Sequence, residues 1–153
     1  MTCVAIIPAR GGSKGIPNKN LAEVNGEALV TRAINSAVQS GVVDFVVVSS
    51  DDHAILKAAK IAGAIAIERP AELASDTSAI EDAISHALQK FSEGHPTPTT
   101  LVLLQPTSPL RQASTISDAV HIFTKNGNTG CVYGVIEAEH HPYKTFIATD
   151  AGL

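Results

Sequence analysis

From Ile6 to Leu21 the chain reads Ile6-Ile7-Pro8-Ala9-Arg10-Gly11-Gly12-Ser13-Lys14-Gly15-Ile16-Pro17-Asn18-Lys19-Asn20-Leu21, an apolar segment running into a loop with three glycines and three cations. Glycine lets backbone N–H groups come close to anionic oxygens, so Gly11, Gly12 and Ser13 read as a backbone cradle. Arg10, Lys14 and Lys19 would place positive charge where a departing pyrophosphate becomes more negative. Together they suit a triphosphate. The Walker A pattern needs Gly-Lys followed by Ser or Thr, whereas Gly15 is followed by Ile16. A dinucleotide fingerprint opens a helix directly, and here Pro17, Asn18 and Asn20 favour an irregular turn instead.

Such a loop must be carried by rigid elements. Cys3–Pro8, Phe45–Ser49, Ala64–Ile67, Leu101–Gln105 and Gly130–Val135 read as strands, with four helical stretches between them. This alternation predicts an α/β fold with a mostly parallel sheet flanked by helices. Val30, Ile34 and Val38, beside Ala33 and Ala37, form the apolar stripe of the first helix. The second starts after Asp51-Asp52, and Asp51 suits its cap better than a metal site. Ser78 and Glu81 have capping-box spacing ahead of Ile80, Ala83, Ile84, Ala87, Leu88 and Phe91. Thr115 and Asp118 repeat that logic, and Gly127 is a stop.

The 153 residues, 44% of them hydrophobic, suit one globular domain, and the net charge of −4 disfavours nucleic acid or an anionic membrane as a partner. No apolar run reaches the ~18 residues of a membrane span, and the N-terminal apolar segment is too short for a signal peptide. A cytoplasmic location is expected. Cys3 and Cys131, without metal-ligand spacing, read as buried free thiols.

Ligands of open α/β sheets lie outside the carboxyl ends of the strands, which brings the loops after Pro8, Ser49, Ile67 and Gln105 to one rim. Three segments on that rim, Pro8–Leu21 (PARGGSKGIPNKNL), Arg69–Ser78 (RPAELASDTS) and Leu103–Arg111 (LLQPTSPLR), closely resemble motifs of the acylneuraminate cytidylyltransferases. The resemblance covers nearly the whole chain. It implies a nucleotidyltransferase fold of the glycosyltransferase A type, and transfer of CMP from CTP to a nine-carbon 2-keto acid sugar, with Mg²⁺ assisting. It further implies that Arg10, Lys14 and Lys19 hold the phosphates, that Asn20 contacts the nucleotide, and that Arg69, Ser78 and Gln105 complete the pocket around cytosine and ribose. Each of the last three has a second reading: Ser78 as helix cap, Gln105 bonded to a neighbouring loop, Arg69 paired with Glu72 or Asp76 at ~1 kcal/mol or less.

Residues 1–135 are expected to form the nucleotide-binding domain and 136–153 the start of an incomplete dimerisation element, so that a homodimer is implied for a longer chain. In that element the resemblance makes Lys144 a candidate for the acceptor sugar, while His140 and His141, adjacent in extended chain, are poorly placed to share a metal ion. The terminal run from Lys144 to Leu153 lacks a following partner strand, and the family's paired aspartates that help carry the metal are expected beyond it; the metal ligands are left unassigned. Ile80 stands where relatives often have a small hydroxyl residue. Related acceptors (pseudaminic, legionaminic or 3-deoxy-manno-octulosonic acid), and a CTP-binding fragment without turnover, are the alternative readings.

Overall fold

The structure, a computed structural model, describes residues 2–13 and 15–136. Its centre is a four-stranded parallel sheet made of β1 (Cys3–Pro8), β4 (Phe45–Ser50), β5 (Ile65–Glu68) and β6 (Thr100–Leu103), in the order β5-β4-β1-β6. A two-stranded hairpin, β2 (Glu23–Val24) and β3 (Glu27–Ala28), lies outside it and had no signal in the hydrophobic pattern.

β1 is apolar on both sides because both sides are covered, the mark of a central parallel strand. Ala5 and Ile7 face a core built with α1 (Leu29–Gln39), α2 (His53–Ile61) and Ile116 of α4 (Ala113–Lys125). Val4 and Ile6 face the opposite core with Val47, Ile67, and Ala87 and Phe91 of α3 (Ile80–Ser92). The register Val4↔Phe45 through Pro8↔Ser49 on one side, and Cys3↔Thr100 through Ile6↔Leu103 on the other, brings three strand ends to one rim.

The chain builds outward from β1 to β4 and β5 through α1 and α2, then returns through α3 on the other face to add β6 beside β1. That reversal is the switch point where an open α/β sheet leaves a crevice.

Several local expectations are corrected. Val38 is 59% exposed, because eight residues at 3.6 per turn carry it about 80° away from Val30. Asp52, not Asp51, caps α2 by accepting from the N–H groups of Ala54 and Ile55 at 2.7 and 3.1 Å. α3 starts at Ile80 after Ala79 with no side-chain cap, and α4 starts at Ala113, two residues ahead of Thr115, also without one. Gly127 does end α4, with φ 76° just past the last turn. Gly130–Val135 forms no strand: Gly130 has φ 78°, Tyr133 and Val135 are exposed, and the segment pairs with no strand among the described residues. Cys3 is buried, but Cys131 is exposed.

Candidate active site

Where β1 ends, the Ala9 N–H donates to the Ser49 carbonyl at 3.0 Å, keeping the chain beside β4 for one more residue. The next peptide group is held from both sides. Asn20 Nδ2 donates to the Arg10 carbonyl at 2.8 Å, and the Gly11 N–H donates to Asp51 Oδ1 at 2.9 Å. Asn20 is only 7% exposed; it sits in the 3₁₀ turn Lys19–Leu21, entered through Asn18 in the left-handed region at φ 51°. Gly11 has to be glycine for a packing reason: a Cβ there would lie 2.8 Å from Asp52 Oδ2 and 2.9 Å from Asp52 Cβ.

The backbone cradle is therefore narrower than three N–H groups. Gly11 gives its N–H to Asp51, and the Ser13 N–H donates to the Gly11 carbonyl at 2.9 Å. Of the three, only the Gly12 N–H stays outside the hydrogen bonds of the described residues.

The Arg10 guanidinium lies 2.9 Å from the Asp76 carboxylate and donates to the Ser75 carbonyl at 3.1 Å, which ties the loop after β1 to the segment after β5. Asp76 thus pairs with Arg10, whereas the sequence suggested Arg69. Arg69 is 6% exposed and bound instead to Ser49, donating to its Oγ at 3.1 Å and its carbonyl at 2.7 Å. Burial pushes the Arg69 pKa below its ordinary value; the Asp51 charge opposes that shift, and the Arg10 charge adds to it. Ser78 is not a cap: its hydroxyl donates to the Glu72 carbonyl at 2.7 Å and lies 2.6 Å from Ser75 Oγ, folding the 72–78 segment on itself.

These elements enclose a cleft of about 340 Å³. Arg10, Ser13, Lys19 and Asn20 line it from the loop after β1, Arg69 and Ser78 from the segment after β5, and Gln105 with Pro106 and Thr107 from the loop after β6. The Gln105 backbone is braced as well, its carbonyl accepting from Arg111 Nη2 at 3.0 Å. Leu73, Ala79 and Ile80 give the cleft an apolar wall, suited to the face of a planar base. Gly11 and Gly12 are not among the lining residues, and Lys14 and Lys144 lie outside the described residues, as do His140 and His141. Ser49 and Ser75 are structural partners that the sequence did not suggest, while Asp51 and Asp76 were expected with other partners. Asp51-Asp52 at a strand end was the available signal, with the roles of its two carboxylates exchanged.

Arg10 and Lys19 from one glycine loop, the buried Arg69 and an apolar wall share one cleft, and residues 4–150 match the cytidylyltransferase family. The chain belongs to that family. It is 36% identical over 132 residues to an N-acylneuraminate cytidylyltransferase of Escherichia coli O18:K1:H7, covering 86% of this chain and 30% of the relative. It is 38% identical over 130 residues to a CMP-N,N'-diacetyllegionaminic acid synthase of Legionella pneumophila, covering 84% and 56%. The chain therefore spans from 30% to 56% of the length of these curated relatives. Among solved structures, a CMP:2-keto-3-deoxy-manno-octonic acid synthetase complexed with CTP superposes with a TM-score of 0.71 at 22% identity, over 83% of this chain and 49% of that one. A Mycobacterium tuberculosis protein solved with manganese superposes at 0.57 and 16% identity, over 80% and 59%. The likeness to the CTP-bound synthetase bears out the nucleotidyltransferase fold read from the sequence.

Proposed function

We propose that this cytidylyltransferase-family chain carries the nucleotide-binding part of a site that transfers CMP from CTP to the anomeric hydroxyl of N-acetylneuraminate, releasing pyrophosphate. The observation that carries the reading is the convergence of Arg10, Lys19 and Arg69 on one cleft whose glycine loop is fixed at the Arg10–Gly11 peptide.

In this reading the sugar hydroxyl attacks the α-phosphorus in line, and the chain's work is to position two anions and offset the charge gathering on the leaving pyrophosphate. Arg10 and Lys19 supply that charge, joined by Lys14. Ser13, Asn20, Ser78 and Gln105 fix the nucleotide, Arg69 holds the cleft's inner wall, and Lys144 addresses the acceptor. Mg²⁺ would neutralise phosphate charge when bound. The described residues contain no cluster of three metal-ligating side chains, and the carboxylates beside the loop are engaged, Asp51 with the Gly11 N–H, Asp52 with the N–H groups of Ala54 and Ile55, and Asp76 with Arg10. They do not build an ion site, so no step is assigned to the metal here. Among the described residues no helix is long and apolar enough to cross a membrane. A cytoplasmic homodimer, assembled through the element from residue 136 onward, completes the proposal.

The likeness to the legionaminic acid synthase favours one second reading, a related 2-keto sugar acid as acceptor. The deciding experiment measures pyrophosphate release from CTP with Mg²⁺ and each sugar acid in turn, with a no-sugar control. Release that requires N-acetylneuraminate supports the main reading, and release only with legionaminic acid supports the second. Absence of release with every sugar overturns the transferase reading of this chain.

A further inference from the structure

We propose that Asp51 is a positioning residue for the phosphate loop, acting through the Gly11 N–H rather than on the nucleotide or a metal ion. The proposal rests on the reading of that loop as a triphosphate site.

Asp51 is not needed for the helix that follows it, because Asp52 supplies the cap with two hydrogen bonds of its own. Its carboxylate reaches instead across the rim from the end of β4 and takes the Gly11 N–H at 2.9 Å. The carbonyl of the same peptide group is held by Asn20 at 2.8 Å. With both ends fixed, the peptide plane cannot turn, and its orientation sets where the Arg10 side chain and the Gly12 N–H leave the backbone. A glycine pair without such anchors would sample many conformations, and ordering them would weaken anion binding.

A carboxylate beside a phosphate site carries a cost in repulsion, and the surroundings offset it. Arg69, buried and bound to both Ser49 oxygens, places a positive charge near the Asp51 carboxylate. The glycine loop is thus tied through Asp51 to the end of β4, the strand on whose Ser49 Arg69 is fixed. Nothing in this tie requires Asp51 to touch the nucleotide.

The test compares the parent chain with Asp51→Ala and Asp51→Asn, reading the dissociation constant of inorganic tripolyphosphate by calorimetry and the exchange rate of the Gly11 amide by NMR. Asparagine keeps an oxygen that can accept the Gly11 N–H and removes the charge; alanine removes both. Asp51→Ala should weaken tripolyphosphate about tenfold or more and release the Gly11 amide to fast exchange, while Asp51→Asn stays within about threefold of the parent with its amide protected. Equal losses in both variants, unchanged or tighter binding in Asp51→Ala, or no tripolyphosphate binding by the parent would each overturn the proposal. If Asp51→Ala does not fold, the exchange arm decides: slow exchange of Gly11 in the parent and in Asp51→Asn supports it, and fast exchange in either overturns it. Because the probe carries neither base nor sugar, failure of sugar-dependent pyrophosphate release would count against the transferase reading and leave this result standing.

Discussion

Asn20 and Asp51 grip opposite ends of one peptide group, Asn20 donating to the Arg10 carbonyl at 2.8 Å and Asp51 accepting from the Gly11 N–H at 2.9 Å. The two side chains come from different loops, so the loop after β1 is defined by tertiary contacts and not by its own glycines. Asn20 is the buried partner. Asn20→Ala should lower stability by about 1–3 kcal/mol in urea unfolding, because it leaves a part-buried carbonyl without its donor. Asn20→Asp should be worse than alanine, since a carboxylate cannot donate to that carbonyl and repels it. Equal stability of the two variants would show that Asn20 acts on the nucleotide alone.

Gly11→Ala tests the packing behind the loop. The added methyl would lie 2.8–2.9 Å from Asp52 Oδ2 and Cβ, so Asp52 must move, and with it the cap of α2. Losing the cap costs ~1 kcal/mol, and Gly11→Ala should lose at least that much in urea unfolding. Asp52→Gly removes both the carboxylate and the Cβ and so opens the space, and the double variant should be more stable than the sum of the single changes allows. Strict additivity would mean the clash is relieved elsewhere.

The two thiols should separate cleanly. Burial, with the Asp44 charge second, pushes the Cys3 thiol above its usual 9.0, while Cys131 is exposed. Iodoacetamide at pH 8 should therefore label one thiol in the native chain, at Cys131, and two after denaturation. The linkage has a definite sign: the folded thiol holds its proton more tightly than the unfolded one. Its contribution to stability is complete below the ordinary thiol range and declines as pH rises through it toward the folded value. Cys3→Ala should flatten that part of the stability profile.

The sheet was legible in the sequence because β1, β4, β5 and β6 are short apolar runs bounded by polar or turn residues, and that pattern survives tertiary packing. The start signals of the helices were less reliable. Ser78-to-Glu81 has capping spacing, yet the Ser78 hydroxyl is drawn to the Glu72 carbonyl and Ser75, and the helix begins without a side-chain cap. The candidate site residues chosen from the sequence for their type and place on the rim, Arg10, Ser13, Lys19, Asn20, Arg69, Ser78 and Gln105, all line one cleft. What one sequence could not show was who holds whom. Asp76 on Arg10, Ser49 under Arg69 and Asp51 on Gly11 are contacts between residues far apart in the chain, set by how the three strand ends align.

Lys19 separates chemistry from architecture more cleanly than Arg10 does. Arg10 ties two loops together through Asp76 and Ser75, so its removal disturbs structure as well as charge. The Lys19 side chain lines the cleft and makes no hydrogen bond or ion pair among the described residues. Lys19→Ala should leave the unfolding midpoint nearly unchanged and lower CTP-dependent turnover by roughly 10²-fold, the scale of removing one preorganised charge stabiliser. Arginine at this position should restore part of the rate, because the proposed transferase reading asks of Lys19 positive charge at the leaving pyrophosphate and not a lysine-specific proton transfer. A rate that stays low in Lys19→Arg, with CTP affinity intact, would point to a geometric demand on the ammonium group. Unchanged turnover in Lys19→Ala would remove Lys19 from the mechanism and leave Arg10 and Lys14 to carry the charge.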